Sequence, residues 1–127
     1  MPTVVIAYSQ FPDVSTEDRI LRQVDATIIH TGNLDTEAAL EAAHQADALM
    51  VTVHKVPADL INRLERCKII CRIGTGIDAI DIPAATARGI WVTNVPDYSI
   101  DEVATQAVSL MLAHNRRLAR QLEMVKT

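Results

Sequence analysis

A chain of 127 residues, 49% apolar and 22% charged, is long enough for one globular domain and too apolar to be disordered. Its net charge of −4, from 12 basic and 16 acidic residues, excludes a broad basic surface for nucleic acid. Aromatic residues make up only 3%, so the core must be built from Val, Ile, Leu, Ala and Met.

The run Thr3 to Tyr8 has the length and apolar character of a strand, and Ser9 to Asp13, with Pro12, interrupts it. Ser15 with Asp18 resembles a capping pair for a short helix whose apolar side is Ile20, Leu21 and Val24. Ala26 to Thr31 reads as a second strand, turned by Gly32 and Asn33. Asp35 or Thr36 caps an alanine-rich helix to about Gln45. Ala48 to Val53 is a third strand, apolar enough to be buried on both faces. Pro57 suits the first turn of a helix running to about Glu65. Lys68 to Ile73 is the fourth strand. Asp81 caps a short helix with Pro83 in its first turn and Gly89 at its end, and Ile90 to Val95 is the fifth strand.

The last helix has the clearest start. Ser99 and Glu102 are spaced as a capping box, and Tyr98 and Val103 as a hydrophobic staple. From Val103 to Ala113 the helix is apolar nearly all round; from Asn115 it is polar, with Leu118 and Leu122 on a narrower stripe. The basic cluster Arg116, Arg117 and Arg120 reads as a solvated face of this helix end. A helix apolar on every side needs cover on several sides, so a partner domain or chain is expected there.

Alternating strands and helices predict an α/β fold with a parallel sheet covered on both faces. Five strands suggest the flavodoxin-like three-layer arrangement, with order 2-1-3-4-5 and a long C-terminal crossing helix. The expected division is residues 1–98 as the binding domain and 99–127 as the interdomain or dimerisation helix. Binding is expected at the carboxyl ends of the strands, in the loops Tyr8–Asp13, His30–Asn33, His54–Pro57, Gly74–Asp81 and Asn94–Tyr98.

The richest of these loops follows the fourth strand. Gly74 and Gly76 permit positive φ and close approach of a ligand to the main chain. Outward amides favour an anion, and Arg72 adds a planar donor fork suited to carboxylate or phosphate. Gly74-x-Gly76-x-x-Ala79 formally matches the dinucleotide fingerprint, with Asp97 as an acid after the next strand. Three features oppose that reading. The next helix is very short, Asp78 and Asp81 bring negative charge, and the motif follows the fourth strand, whereas the fingerprint usually follows the first. A ligand-free strand–helix turn, with Arg72 paired to Asp78 or Asp81, is the bland alternative.

His54 and Lys55 end the third strand and face the same edge. His30, His44 and His114 are scattered, without metal-ligand spacing. Cys67 and Cys71, four residues apart on an extended segment, would stand about 13 Å apart, too far for a disulfide, so two reduced thiols of a cytosolic protein are expected. There is no basic leader and no apolar run of about 18 residues, so the expectation is a soluble, cytoplasmic protein without a membrane span. A receiver domain needs acids after the first strand and an aspartate ending the third; Ala7-Tyr8-Ser9 and Val53-His54 occupy those places. The segment Ser9-Gln10-Phe11-Pro12 does not supply a flavin phosphate loop.

From Val51 onward the chain resembles the D-isomer-specific 2-hydroxyacid dehydrogenases, above all the phosphoglycerate-dehydrogenase and C-terminal-binding-protein branch. The resemblance is carried by Arg72-Ile-Gly-Thr-Gly-Ile-Asp78, Ile80-Asp81-Ile82 with Ala84-Ala85, Gly89-Ile90-Trp91-Val92, Asn94-Val95-Pro96, Ser99 and Val103-Ala104. It implies a substrate-binding domain working with a separate Rossmann NAD domain, and catalysis in the cleft between them. Main-chain amides around Gly74 and Thr75, within the stretch Arg72, Ile73, Gly74, Thr75 and Gly76, would hold the carboxylate of a small 2-hydroxy or 2-keto acid. Arg72 would also contact that substrate, and Thr75 the nicotinamide cofactor. Val53–Val56, with His54 and Lys55, would line the pocket, and a homodimer would form through the helix from Ser99. Thr105 stands where many members carry glutamate. The family's own G-x-G-x-x-G, catalytic arginine, glutamate and histidine lie beyond the position matched by Thr127, so the chain alone is expected to be inactive, with weak NAD binding or none. The rival reading is a non-catalytic module of C-terminal-binding-protein type that holds a small carboxylate or a peptide.

Overall fold

The computed structural model describes residues 1–8, 10 and 13–126. Ser9, Phe11 and Pro12, which the sequence assigns to the loop after the first strand, lie outside the described residues, as does Thr127. The chain divides into two compact units, Met1–Pro96 and Asp97–Thr127.

The first unit is a five-stranded sheet in the order β2-β1-β3-β4-β5. Its strands are β1 (Thr3–Ala7), β2 (Thr27–His30), β3 (Ala48–Val51), β4 (Ile69–Arg72) and β5 (Trp91–Thr93). Every pairing is parallel, with Val5 opposite Leu49, Leu49 opposite Ile70 and Ile70 opposite Val92. The expected fold class and strand order are therefore observed. Helix α1 (Ser15–Leu21) and a 3-10 turn (Arg22–Val24) link β1 to β2, while α2 (Glu37–His44), α3 (Ala58–Arg63) and α4 (Ile82–Ala87) make the later crossovers.

The direction of travel reverses after β2, so right-handed crossovers place α1 on one face and α2, α3 and α4 on the other. The core follows this division. The larger cluster holds Val5, Leu49, Val51 and Ile70 with Ala43, Leu60, Ile61 and Ala85. The smaller one holds Val4, Ile6, Tyr8 and Ala26. β3 was expected to be buried on both faces, but only Leu49 and Val51 are buried; Ala48 and Met50 on the α1 side are half-buried. On the same side of β5, Trp91 is 76% exposed.

Caps follow the sequence at two helices and depart from it at two. The Thr36 hydroxyl accepts from the Ala39 amide at 3.2 Å, and the Asp81 carboxylate accepts from the Ala84 amide at 2.9 Å. At α1 the expected Ser15–Asp18 pair is absent. Ser15 is itself the first helical residue, and its amide and hydroxyl donate to Asp13 at 2.9 and 3.0 Å.

The second unit contains α5 (Ile100–Asn115) and α6 (Leu118–Lys126) in place of one continuous helix. The break is at Arg117, whose φ of 52° is left-handed and incompatible with continuing the helix. Ser99 is the N-cap residue of α5, yet its side chain makes no capping bond, and Tyr98 and Val103 both remain exposed. Neither helix has a buried residue; Val103, Val108, Leu110, Met111 and Leu112 are all more than half exposed. Among the described residues, no helix is long and apolar enough to cross a membrane.

Candidate functional site

At the carboxyl edge, two side-chain hydrogen bonds link neighbouring segments near the place where the strand order reverses. The Thr52 hydroxyl donates to Gln10 Oε1 at 2.6 Å, and the His30 ring nitrogen Nε2 bonds the Tyr8 carbonyl at 2.8 Å. The Tyr8 hydroxyl donates to Glu17 at 2.7 Å, and burial first, then this carboxylate, raises the phenol pKa well above its usual value.

The turn after β4 is held on both sides and left open at its tip. Ile73 donates to the Val51 carbonyl at 2.8 Å, and Val95 donates to the Gly74 carbonyl at 3.0 Å. The Asn94 amide group donates to the Thr75 carbonyl at 2.8 Å. On the far side, Val56 donates to Ala79 at 2.7 Å and Asp81 donates to Val56 at 3.0 Å, a parallel bridge between Val56 and Ile80. The segment after β3 and the segment after β4 are thus joined through the main chain, although they are separated in sequence.

Gly74 has a φ of +145° and is buried, while Thr75, Gly76, Ile77 and Asp78 are exposed. A Cβ on Gly74 would lie 1.8 Å from Arg72 Nη1. The guanidinium therefore occupies the space that any side chain at position 74 would need. It lies back over its own turn, with Nη1 donating to the Ile73 carbonyl at 2.8 Å. Nε is buried without a hydrogen-bond partner. Pairing of Arg72 with Asp78 or Asp81 does not occur among the described residues.

The amides differ in what they offer. That of Gly74 is engaged by the Arg72 carbonyl at 3.1 Å. Those of Thr75 and Gly76 donate to no group among the described residues. The amides of Ile77, Asp78 and Ala79 are likewise without an acceptor among the described residues, so of the Gly74–Thr75 pair that the resemblance implies, Thr75 has the open amide. Open main-chain amides and a guanidinium are the donor types that a carboxylate takes. Asn94, which fixes the Thr75 carbonyl and with it the peptide plane carrying the Gly76 amide, belongs to a loop expected at the binding edge, but its hold on the turn was not among the sequence expectations. The available signal was an amide side chain directly after a strand at the binding edge.

His54 and Lys55 occupy a different concavity. They line a cavity of about 490 Å³ with Leu34, Asp35, Pro57 and Asp59, and none of Arg72–Gly76 lines it. His54 Nε2 is buried without a partner.

The dinucleotide fingerprint fails on geometry. Helix α4 begins only at Ile82, and its first-turn donor, the Ala84 amide, is already taken by Asp81. A pyrophosphate would find no helix N-terminus directly behind the glycines, so the Gly74–Ala79 match does not form a dinucleotide cradle. Among the described residues no group of three His, Cys, Asp or Glu side chains is placed to hold a metal. Cys67 and Cys71 are both free thiols, and burial raises the pKa of Cys67.

The first unit is a doubly wound parallel α/β domain whose glycine turn stands at the carboxyl edge of the sheet. The family model described as the D-isomer specific 2-hydroxyacid dehydrogenase catalytic domain matches residues 5–116, and the chain belongs to that family. It is 40% identical over 109 residues to the D-3-phosphoglycerate dehydrogenase of Methanocaldococcus jannaschii, covering 85% of this chain and 21% of the relative. It is 35% identical over 103 residues to the hydroxypyruvate reductase of Thermotoga maritima, covering 80% of this chain and 34% of that protein. The D-lactate dehydrogenase of Aquifex aeolicus, solved with NAD and lactic acid, superposes with a TM-score of 0.81 at 26% identity, over 98% of this chain and 37% of the other. The chain thus spans between about a fifth and about a third of the length of these curated relatives.

Proposed function

We propose that this chain is the substrate-holding part of an NAD-dependent oxidoreductase acting on the CH–OH group of 2-hydroxy acids. The observation that carries the reading is the run of open amides that begins at Thr75 and Gly76, in the turn that follows Arg72 at the carboxyl edge of the sheet. They hold the carboxylate, and Arg72 swings from its internal bond to the Ile73 carbonyl onto the same group. Two-point fixation sets the orientation of C2. The nicotinamide, when bound to the complete enzyme, supplies the hydride chemistry. Thr75 is the contact this chain offers it, because that side chain is exposed and its hydroxyl has no partner among the described residues. The segment Val53–Val56, bridged to Ile80, forms the neighbouring wall.

Two measurements test this. Pyruvate titrated into isotope-labelled protein is expected to shift the Thr75 and Gly76 amide resonances, and Arg72→Met is expected to abolish the shift; unmoved amides refute the site. The 127-residue chain with NADH and a panel of 2-keto acids is expected to show no turnover, and measurable turnover refutes the division of labour. We also infer self-association through α5. Val103, Val108, Leu110, Met111 and Leu112 leave an exposed apolar surface on this helix of the kind that marks an interaction site. Sedimentation showing a clean monomer at high concentration counts against it.

A further inference from the structure

The end of β5 sets the direction in which the amides of the glycine turn point. We propose that Asn94 is a positioning residue of this site: with the Val95 amide, its side chain aims the Thr75 and Gly76 amides away from β5 and holds them there for the acid. This rests on the carboxylate-holding reading above.

The described peptide bonds are all trans, and in a trans peptide the C=O and N–H point in opposite directions across one plane. The Gly74 carbonyl accepts from the Val95 amide at 3.0 Å, and the Thr75 carbonyl accepts from Asn94 Nδ2 at 2.8 Å. Both carbonyls are thereby drawn to the end of β5. The amides of the same two planes, those of Thr75 and Gly76, then face away from β5, towards the side of β4 on which β3 lies. Successive amides turned to one side are an arrangement in which a main chain binds an anion.

The other open amides of the loop are held differently. The planes that carry the Ile77 and Ala79 amides end in the carbonyls of Gly76 and Asp78, which accept no hydrogen bond among the described residues. The plane that carries the Asp78 amide is fixed only within the loop, where the Ile77 carbonyl accepts from the Ile80 amide at 3.0 Å. Thr75 and Gly76 are therefore the open amides that a neighbouring strand orients. Of the two bonds that do so, the one from Val95 is main chain, and the one from Asn94 depends on the residue type. Asn94 is exposed, and its side chain makes this one hydrogen bond among the described residues, so it fixes the turn and not the core. Without it the Thr75–Gly76 plane can rotate, and an acid must order that plane as it binds, which weakens binding.

The test is Asn94→Ala in the 127-residue chain, titrated with pyruvate and followed through the isotope-labelled amides. Loss of one net hydrogen bond predicts binding about fivefold weaker. The free Gly76 resonance is expected to move more than that of Thr75, whose plane Val95 still holds. A role in stability alone predicts a lower urea midpoint at unchanged pyruvate affinity, and that result overturns the proposal while leaving the carboxylate site standing. Amide relaxation in the unsubstituted chain needs no variant: Thr75 and Gly76 are expected to be more ordered than Ile77 and Ala79, and equal order also overturns it. Pyruvate that moves no amide of the turn in the unsubstituted chain overturns the carboxylate reading itself, and this inference with it.

Discussion

The contact between Arg72 and Gly74 gives the sharpest test of how the turn is built. In Gly74→Ala the new Cβ would lie 1.8 Å from Nη1 and 2.9 Å from Cζ of Arg72, far inside van der Waals contact. The guanidinium must leave, and its 2.8 Å bond to the Ile73 carbonyl goes with it. A charged hydrogen bond contributes about 1.5–3 kcal/mol, and the lower end applies to a half-exposed group. Holding alanine at a φ of +145° adds backbone strain of about 1–3 kcal/mol. The expected loss of stability is about 3–4 kcal/mol from these two contributions. Urea unfolding followed by far-ultraviolet circular dichroism measures it, with an unchanged m-value showing that the unfolded state is unaltered. In an Arg72→Ala background the steric contribution disappears. The same glycine substitution should then cost about 1.5 kcal/mol less, a coupling typical of residues in contact. Equal costs in the two backgrounds would refute the proposal that Gly74 is required by the arginine lying over it.

Three further outcomes follow from individual hydrogen bonds. The Asp47 carboxylate accepts from the Thr3 amide at 2.8 Å and from Arg66 at 3.1 Å, and the amide bond foremost holds its pKa below the usual carboxylate range. Because the folded value lies below the unfolded one, this stabilisation is complete above about pH 5 and disappears as the pH falls through the folded value. Asp47→Asn should therefore flatten the acid limb of Tm against pH, and an unchanged limb contradicts the assignment. Tyr8 behaves in the opposite sense: its folded pKa is raised, so its contribution is present below about pH 10 and falls away above it. Tyr8→Phe should cost about 1 kcal/mol at neutral pH while removing part of the alkaline destabilisation, as read from Tm between pH 9 and 11; a parallel alkaline limb counts against it. Asp81→Ala should cost about 1 kcal/mol by removing the cap on the Ala84 amide, and Asp81→Asn much less. Equal losses in chemical denaturation would show that charge, and not the capping bond, stabilises α4.

The sequence by itself determined the features governed by local chemistry. Apolar runs separated by capped helices give five strands, and one reversal of direction then leaves the order β2-β1-β3-β4-β5 as the arrangement with short right-handed crossovers. Thr36 and Asp81 cap as read, because a cap needs only its own hydroxyl or carboxylate and an amide three residues on. Gly74 located the turn for the same reason: a buried backbone at positive φ disfavours a side chain, whereas Gly76 does not adopt a positive φ.

Tertiary structure decided what depends on neighbours distant in sequence. The residues of β3 are apolar on both sides, but only α1 crosses one face, so Ala48 and Met50 remain half-buried. The change from apolar to polar at Asn115 did not disclose that Arg117 would turn left-handed and divide the helix. Ser15 and Ser99 had the composition of caps without making the bonds, because side-chain rotamers answer to the whole environment. At the site, residue types announced an anion-binding turn. The Arg72 carbonyl then engages the Gly74 amide, and Asn94 from the next strand's end fixes the Thr75 carbonyl, leaving the amides of Thr75 and Gly76 open. The end of β5, brought beside the turn only by the sheet, supplies donors, the Asn94 side-chain amide and the Val95 main-chain amide, that hold the Thr75 and Gly74 carbonyls.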